Sequence, residues 1–248
     1  MNKIVEVCCG SYYDCLQAYK GNADRVELNS ALYMGGLTPT VASLILTKKN
    51  TNLKVICMVR PRGAGFCYDK EDYETILLDV KSMMENGADG IAFGCLDSEG
   101  NIDISKTKEV IEIVKSYGKD KEVVFHRAFD CVNNPYDSME ILIDLGVDRV
   151  LTSGLEEKAI YGIKLLKDLQ KKYGDRIEIL AGSGMNSENA REFMESTGIT
   201  QVHSSCKTWL KDKTTTKNNV SYAYSDDEYG YDVVDCNLVK ELVKVIKE

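Results

Sequence analysis

The stretch Gly146-Val147-Asp148-Arg149-Val150 has three counterparts along the chain, and together the four copies decide the fold. The counterparts are Asn22-Ala23-Asp24-Arg25-Val26, Gly87-Ala88-Asp89-Gly90-Ile91 and Gly198-Ile199-Thr200-Gln201-Val202. Glycine adopts the left-handed conformation that ends many helices, so each copy is typical of a helix end that leads directly into a strand. The copies begin 52 to 65 residues apart, and we interpret this as one junction in every second strand–helix unit.

Before and after these junctions the chain follows one pattern, in which a short β-branched run precedes a longer amphipathic stretch, and this pair occurs eight times. The predicted strands are Lys3–Cys8, Asp24–Leu28, Lys54–Val59, Gly90–Gly94, Glu122–Arg127, Arg149–Thr152, Arg176–Ala181 and Gln201–Ser204. Lys70–Asn86 and Glu156–Tyr173 show helical spacing. Eight such pairs in 248 residues predict an α/β fold of the (β/α)8 TIM-barrel type, since such barrels need about 250 residues. An open, doubly wound parallel sheet is the alternative.

The whole chain, residues 1–248, is predicted to form a single domain. Its only prolines are Pro39, Pro61 and Pro135, and no Ser/Gly-rich linker divides it. A polar, tyrosine-bearing segment at 206–232 follows the eighth strand, and we expect it to be long and irregular. It would form either a lid over the strand ends, or an oligomer contact or mobile surface loop.

The charge balance excludes several classes of partner. The net charge is −8, from 39 acidic and 31 basic residues, so the molecule repels phosphate backbones and anionic membranes. We therefore expect no nucleic-acid partner and no membrane association. Glu6 interrupts the N-terminal apolar stretch that a secretion signal would need, which predicts a cytoplasmic protein. Nine cysteines with no Cys-x-x-Cys pair are then expected to stay reduced.

Alternation along the strands places several charged side chains inside the predicted barrel. Val5 and Val7 face the helices, so Glu6 and Cys8 face the axis, and the same parity turns Glu27 and Arg60 inward. Isolated buried charges cost several kcal/mol unless paired, so these groups should be neighbours. They concentrate towards the strand ends, where barrel enzymes keep their catalytic groups. Ion pairs that only close the barrel interior are the alternative.

These side chains suggest acid–base chemistry on an anion. The predicted catalytic set is Glu6, Glu27, Arg60, His126 and Asp130. The carboxylates and the imidazole would exchange protons, while Arg60 and Arg62 would orient an anionic substrate. Asp130 would orient an imidazole or ligate a cation, or cap the next helix. No lysine stands at the C-terminal end of a strand, which disfavours Schiff-base chemistry.

Glycine- and serine-rich turns follow the later strands. Barrels often build a phosphate cradle from backbone N–H groups after strands seven and eight. The predicted substrate-binding set is Arg62, Ser153, Gly182, Gly184, His203, Ser204 and Ser205. The alternative is that the glycines serve only a tight strand-to-helix turn.

Cysteines offer the main metal ligands that the sequence reveals. No His-x-x-x-His pair occurs, which argues against a zinc site built from local spacing. Thiolates select Cu(I), and six cysteines lie at or just after strand ends: Cys8, Cys9, Cys67, Cys95, Cys131 and Cys206. Reduced cysteines are also common as small apolar core residues.

Seven motifs, in order from the second strand to the eighth, resemble those of a known family. They are Arg25-Val26-Glu27-Leu28, Gly35-Gly36-Leu37-Thr38-Pro39, Arg60-Pro61-Arg62-Gly63, Phe66-Cys67-Tyr68, His126-Arg127-Ala128-Phe129-Asp130, Arg149-Val150-Leu151-Thr152-Ser153-Gly154 and Val202-His203-Ser204-Ser205. The chain resembles the CutC copper homeostasis proteins. The resemblance implies a cytoplasmic TIM-type barrel that forms a homo-oligomer, a dimer or tetramer, and binds Cu(I) through cysteine.

The resemblance also marks individual residues. Cys8 matches a cysteine that the family offers as a Cu(I) ligand, whereas Asn29 replaces a second family cysteine. Either Cys9 or Cys67 would then have to supply the second thiolate, or copper binding would be incidental. Two functions follow, and the sequence leaves both open. One is copper handling, and the other is a lyase, isomerase or hydrolase acting on a small anionic or phosphorylated substrate.

Overall fold

The computed structural model describes residues 3–248 and shows eight parallel strands closed into a barrel. The strands are β1 (Ile4–Cys9), β2 (Arg25–Leu28), β3 (Lys54–Met58), β4 (Gly90–Phe93), β5 (Glu122–Phe125), β6 (Arg149–Thr152), β7 (Glu178–Ala181) and β8 (Gln201–Ser204). Pairing of β1 with both β2 and β8 closes the sheet, which confirms the (β/α)8 prediction and excludes the open sheet. Met1 and Asn2, part of the N-terminal stretch used to predict localisation, lie outside the described residues.

Helices alternate with the strands and pack around the barrel. They are α1 (Tyr12–Lys20), α2 (Val41–Asn50), α3 (Lys70–Glu85), α4 (Ile104–Ser116), α5 (Pro135–Leu145), α6 (Ile163–Tyr173), α7 (Ala190–Thr197) and α8 (Cys236–Lys247). The helix predicted at Lys70–Asn86 is confirmed as α3. Within residues 3–248, the helices all lack the combination of length and apolar character that a membrane span requires.

The helix predicted at Glu156–Tyr173 begins later, at Ile163. Residues 156–162 form turns instead of a helix, because contacts from outside the segment hold the backbone there. The N–H of Ala159 donates to the Ser183 carbonyl at 3.0 Å, which ties this loop to the neighbouring one after β7.

The repeated junction motif works as predicted and adds a contact. The first residue of each copy has a positive φ, at Asn22, Gly87, Gly146 and Gly198. In three copies the aspartate then accepts a hydrogen bond from the backbone of the preceding strand, Val5 to Asp24 at 2.8 Å, Val55 to Asp89 at 2.8 Å and Val123 to Asp148 at 2.7 Å. Each copy therefore follows a helix end, and in three copies its aspartate also ties the next strand to the preceding one.

Two apolar layers surround the strands. The larger lies between barrel and helices and includes Val5, Val7, Val26 and Leu28, as strand parity predicts. A small second cluster fills part of the barrel interior: Ile56, Met58, Ala92, Val124, Leu151 and Leu180. The remainder of the interior is polar.

Polar residues at the strand starts close the lower end of the barrel. Arg149, the first residue of β6, contacts Glu122 at 3.0 Å and Glu178 at 2.7 Å. Gln201 accepts hydrogen bonds from Arg149 at 3.2 Å and from Arg25 at 2.9 Å. Ion pairs that close the barrel interior therefore occur at the N-terminal ends of the strands, whereas the cavity with the candidate functional residues lies at their C-terminal ends.

The segment after β8 differs from the irregular structure expected for 206–232. It contains β9 (Lys207–Lys211), β10 (Thr216–Lys217), β11 (Val220–Ser221) and β12 (Gly230–Val234). The strands β9 and β12 pair antiparallel, with Trp209 opposite Asp232, and β10 pairs with β11. Sequence periodicity did not reveal them because each strand is short and their partners are separated along the chain.

Candidate functional site

A cavity of about 940 Å³ opens at the C-terminal ends of the barrel strands. Its floor consists of inward-facing strand residues, and part of its wall comes from the segment after β8, including Trp209 and Tyr224. The Tyr224 ring stacks on Tyr33 with centroids 4.8 Å apart, which joins that segment to the loop after β2. This position agrees with the lid interpretation, because the segment partly covers the strand ends.

Barrel closure brings three potential metal ligands together. Cys8 on β1 is the register partner of Glu27 on β2, and Glu6 on β1 is the partner of His203 on β8. All four side chains turn inward, and ligand atoms of Cys8, Glu27 and His203 lie within 4.8 Å of one another. The Cys8 Sγ lies 3.9 Å from Glu27 Oε2, which in turn lies 3.9 Å from His203 Nε2.

A buried carboxylate fixes the orientation of His203. Its Nδ1 lies 2.7 Å from Glu6 Oε1, so a proton on Nδ1 donates to Glu6 and Nε2 faces Cys8 and Glu27. Glu6 also pairs with Arg25. Metal-binding histidines commonly have such a carboxylate behind them, because it sets the tautomer and makes the imidazole a better ligand.

The three ligands affect one another's protonation. Burial raises the pKa of the Cys8 thiol, although His203 opposes this, and burial likewise raises the pKa of the Glu27 carboxyl. Burial alone would lower the pKa of His203, but its contacts with Cys8, Glu27 and Glu6 hold that pKa well above its usual value. For Glu6, burial acts to raise the pKa, but Arg25 and His203 bring it well below the usual range. A cation at this position would therefore displace protons from the cluster as it binds.

The arrangement suits a metal ion that still has an open coordination position. Ligand atoms bound to a tetrahedral zinc-sized ion are about 3.5 Å apart. The two distances to Glu27 Oε2, 3.9 Å each, are close to that spacing, and all three ligand atoms lie within 4.8 Å of one another, so inward side-chain shifts would complete the site. One sulfur, one nitrogen and one oxygen donor make a mixed set, in which the thiol and imidazole accept Cu(I) and the carboxylate prefers a harder ion. The residues thus fit a thiophilic metal at a single-thiol site.

Arg60 and His126 occupy another part of the same cavity. Phe66 packs against both, with its ring centroid 5.1 Å from that of His126 and 5.2 Å from the Arg60 Cζ. Burial and the nearby Arg60 charge lower the pKa of His126 to about 3. His126 is therefore neutral near pH 7.

The predicted site residues outside the cavity lining include Arg62, Cys67 and Cys9. Arg62 binds Asp72 at 2.5 Å and the Cys67 carbonyl at 2.9 Å, so its guanidinium serves the loop after β3 and not an anion in the cavity. Cys67 is exposed on that loop. Cys9 is buried in the layer between barrel and helices, because strand alternation turns it away from Cys8. The structure therefore does not support a second thiolate from Cys9 or Cys67 beside Cys8.

Asp130 borders the cavity but acts as an anchor. Its Oδ1 accepts from Thr152 Oγ1 at 2.5 Å and from the Ser153 N–H at 3.0 Å, and its Oδ2 accepts from Arg127 at 2.7 Å and from Ser153 Oγ at 2.9 Å. Both oxygens are thus occupied, which favours an anchoring role over the predicted catalytic one. The same bonds bury Ser153 outside the cavity lining, where it cannot contact a substrate.

The predicted phosphate cradle is only partly assembled. Gly184 and Ser205 line the cavity, as does His203. Ser204 faces away from the axis and donates to the Met185 carbonyl at 2.7 Å. Gly182 leaves room for the side chains of Leu151 and His203, since an added Cβ would lie 2.6 Å from Leu151. These positions favour a packing role for Gly182 and Ser204.

Sequence reasoning identified Glu27 and His203 but did not recognise them as ligands beside Cys8. The signal was available, because parity turned Glu27 and Cys8 inward and His203 lies near the end of β8. Asn29, which replaces a family cysteine, also contacts the cluster: its Nδ2 lies 2.9 Å from Glu27 Oε2 and 3.6 Å from Cys8 Sγ. Tyr224 belongs to the tyrosine-bearing segment for which a lid was one interpretation, whereas nothing local to the sequence of Trp209 indicates that it lines the cavity.

Fold and site together define a (β/α)8-barrel protein with a polar cavity and a Cys–Glu–His cluster at the carboxyl ends of its strands. The CutC family model matches residues 3–208. The chain belongs to the CutC family.

Similarity to individual relatives extends over nearly the whole chain. A CutC family protein of Treponema denticola is 43% identical over 244 residues, which cover 98% of this chain and 97% of the relative. The human copper homeostasis protein cutC homolog is 35% identical over 248 residues, 98% of this chain and 89% of that protein.

Solved structures support the same fold. A CutC structure from Streptococcus agalactiae superposes with a TM-score of 0.74 at 30% identity, covering 82% of this chain and 98% of that one. A phosphoribosylanthranilate isomerase from Pyrococcus furiosus superposes with a TM-score of 0.58 at 16% identity over 99% of both chains. The latter likeness concerns the fold alone.

Proposed function

We propose that this protein handles copper by binding Cu(I) at Cys8, with His203 as the second ligand and Glu27 beside them. The observation that carries the proposal is the convergence of these side chains within 4.8 Å at the cavity floor. Thiolate and imidazole are ligands that Cu(I) accepts, and Glu6 behind His203 supplies the carboxylate that such sites use for orientation. The human relative's name supports copper as the metal.

The proposal includes a setting for the protein. All nine cysteines are free thiols, which supports the reducing cytoplasm as the place where the site works. A homo-oligomer, either a dimer or a tetramer, remains part of the proposal. Exposed aromatic side chains away from the cavity, among them Tyr222 and Tyr161, support an association surface.

Competition with a chromogenic Cu(I) chelator under anaerobic, reducing conditions tests the copper site. Cys8→Ser removes the sulfur donor from the cluster, so we expect its Cu(I) affinity to fall at least a hundredfold. Cys67→Ser is the matched control, because that thiol is exposed on a loop outside the cavity lining, and its affinity should equal that of the wild type. Equal Cu(I) affinity in the Cys8→Ser and Cys67→Ser variants would refute the assignment.

A parallel zinc titration identifies the preferred ion. Glu27→Gln removes the hard oxygen donor and should weaken Zn(II) binding more than Cu(I) binding, because carboxylates are poor ligands for soft ions. If Glu27→Gln weakened both ions equally, Glu27 would be a full ligand and the two-ligand Cu(I) model would be wrong.

A second candidate is an enzyme, a lyase, isomerase or hydrolase acting on a small anion. The observation in its favour is that three protein ligands leave a coordination position open towards the cavity, as in catalytic metal sites. Turnover of a small anionic or phosphorylated metabolite by the metal-loaded protein, abolished in Cys8→Ser, would favour it over metal handling alone.

A further inference from the structure

Arg60, two residues beyond the last inward residue of β3, carries a buried positive charge that is matched only by neutral groups. The residue is 5% exposed. Its Nη1 donates to the carbonyls of Met34 and Gly36, both at 3.0 Å, and its Nη2 donates to the Ala64 carbonyl at 2.6 Å. Among residues 3–248, Nε has no hydrogen-bond acceptor.

A guanidinium in this position favours an additional, anionic partner. Desolvating a charge is costly, and carbonyl dipoles offset that cost less well than an opposite charge does. The buried carboxylate behind the metal ligands, Glu6, does not supply this opposite charge, because it is paired with Arg25. Among the described residues that line the cavity, Arg60 is therefore a buried positive charge without an acidic partner.

His126 supplies a second unused donor close by. Its Nδ1 accepts a hydrogen bond from the Ala128 N–H at 3.1 Å, so in the neutral ring the proton resides on Nε2. His126 is 3% exposed as a residue, and within residues 3–248 its Nε2 has no hydrogen-bond partner. A pKa of about 3 keeps the ring in this neutral, single-donor form at physiological pH.

We propose that this part of the cavity, the Arg60–His126 subsite, binds the carboxylate group of a small organic acid. One formal positive charge matches one carboxylate, whereas a phosphate dianion would leave a negative charge uncompensated in a buried place. Two N–H donors match the two carboxylate oxygens. Met58, Leu151 and the ring of Phe66 line the same cavity and provide an apolar surface for the carbon skeleton.

The subsite lies next to the metal ligands but does not depend on a metal. Asn29 lies between the two regions. On one side its Nδ2 donates to Glu27. On the other side it packs against Gly36, whose carbonyl accepts from Arg60; a Cβ added to Gly36 would lie only 2.5 Å from Asn29 Oδ1. Asn29 Oδ1 has no donor partner among the described residues and would accept a hydrogen bond from a hydroxyl on the acid. A short hydroxy acid is therefore a suitable probe.

The test is an NMR titration of the isotope-labelled, metal-free full chain with L-lactate, with lactamide as its uncharged analogue and with inorganic phosphate. We expect L-lactate to shift the His126 ring and Ala128 amide resonances saturably. Lactamide should produce no saturable shift, and phosphate should bind at least tenfold more weakly than L-lactate. No saturable shift with L-lactate, or equal binding of lactamide, would overturn the proposal, and tighter binding of phosphate would overturn the carboxylate assignment.

Two variants separate this subsite from the proposed copper site. His126→Asn retains an oxygen that accepts the Ala128 N–H but loses the Nε2 donor, so its lactate affinity should fall about tenfold; unchanged affinity would overturn the subsite. Cys8→Ser should bind lactate as the wild type does, even though it loses Cu(I). Loss of lactate binding in Cys8→Ser would place the acid on the metal ligands and refute the Arg60–His126 assignment.

Discussion

Protonation of His126 should destabilise the folded protein as the pH falls. The pKa of this histidine is about 3 in the folded state, because the ring is buried beside Arg60, and about 6.5 in an unfolded chain. The unfolded state therefore binds the proton first. The stability that the neutral ring provides is complete above pH 6.5 and is lost progressively as the pH falls from there towards 3.

The magnitude follows from the difference between the two pKa values. Each pH unit between them changes the free energy of unfolding by about 1.4 kcal/mol, so lowering the pH from 7 to 5 should cost about 2 kcal/mol from this residue alone. His203 acts in the opposite direction, since its folded-state pKa is raised. The contribution of His126 must therefore be obtained by comparing the wild type with a variant.

His126→Asn is the suitable variant, because it keeps an acceptor for the Ala128 N–H and cannot be protonated. The assay is urea denaturation at pH 7 and pH 5 in buffers free of carboxylates, which would otherwise compete for the proposed subsite. The wild type should lose about 2 kcal/mol more than the variant between the two pH values. Equal losses in the two proteins would refute the reasoning.

Two further predictions concern carboxylates that hold other groups in place. Glu6→Gln should weaken metal binding ten- to a hundredfold, because it removes the negative charge behind His203. It should also destabilise the fold by about 3–5 kcal/mol, because Arg25 loses its ion-pair partner. Competition with a chelator measures the first effect and urea denaturation the second, and unchanged metal affinity would contradict the first prediction. Asp130→Asn should cost about 1.5–3 kcal/mol in urea denaturation, because its new N–H₂ group would face the Arg127 and Ser153 donors. The control, Asp144→Asn on an exposed face of α5, should cost less than about 0.5 kcal/mol, and equal costs for the two variants would show that Asp130 is not an anchor.

Local sequence was sufficient for the architecture. The helix-ending positions at Asn22, Gly87, Gly146 and Gly198 marked where even-numbered strands begin, because a positive φ is a property of the residue and its immediate neighbours. Strand alternation placed Glu6, Glu27 and Arg60 inside the barrel, since successive side chains point to opposite faces whatever the strand pairs with. The resemblance to CutC, carried by short motifs, was confirmed.

The fine placement of loop residues could not be predicted in the same way. Arg62 and Cys67 follow a strand end closely, yet they lie on a loop where no fixed periodicity sets side-chain direction, and Arg62 turns to Asp72 instead of the cavity. Asp130 has the residue type of an acid–base group. Only the tertiary contacts with Thr152 and Ser153 show that its oxygens are occupied.

Alternation within a single strand is enough to predict which side chains face the barrel axis, so each short stretch of sequence contains that information. Which of those side chains come into contact depends on how the strands pair in the folded barrel. Cys8 and Glu27 lie side by side because β1 and β2 pair in one register, and His203 joins them because closure of the barrel brings β8 next to β1. A register between strands is set by the packing and hydrogen bonds of the whole barrel, and so no short stretch of the chain contains it.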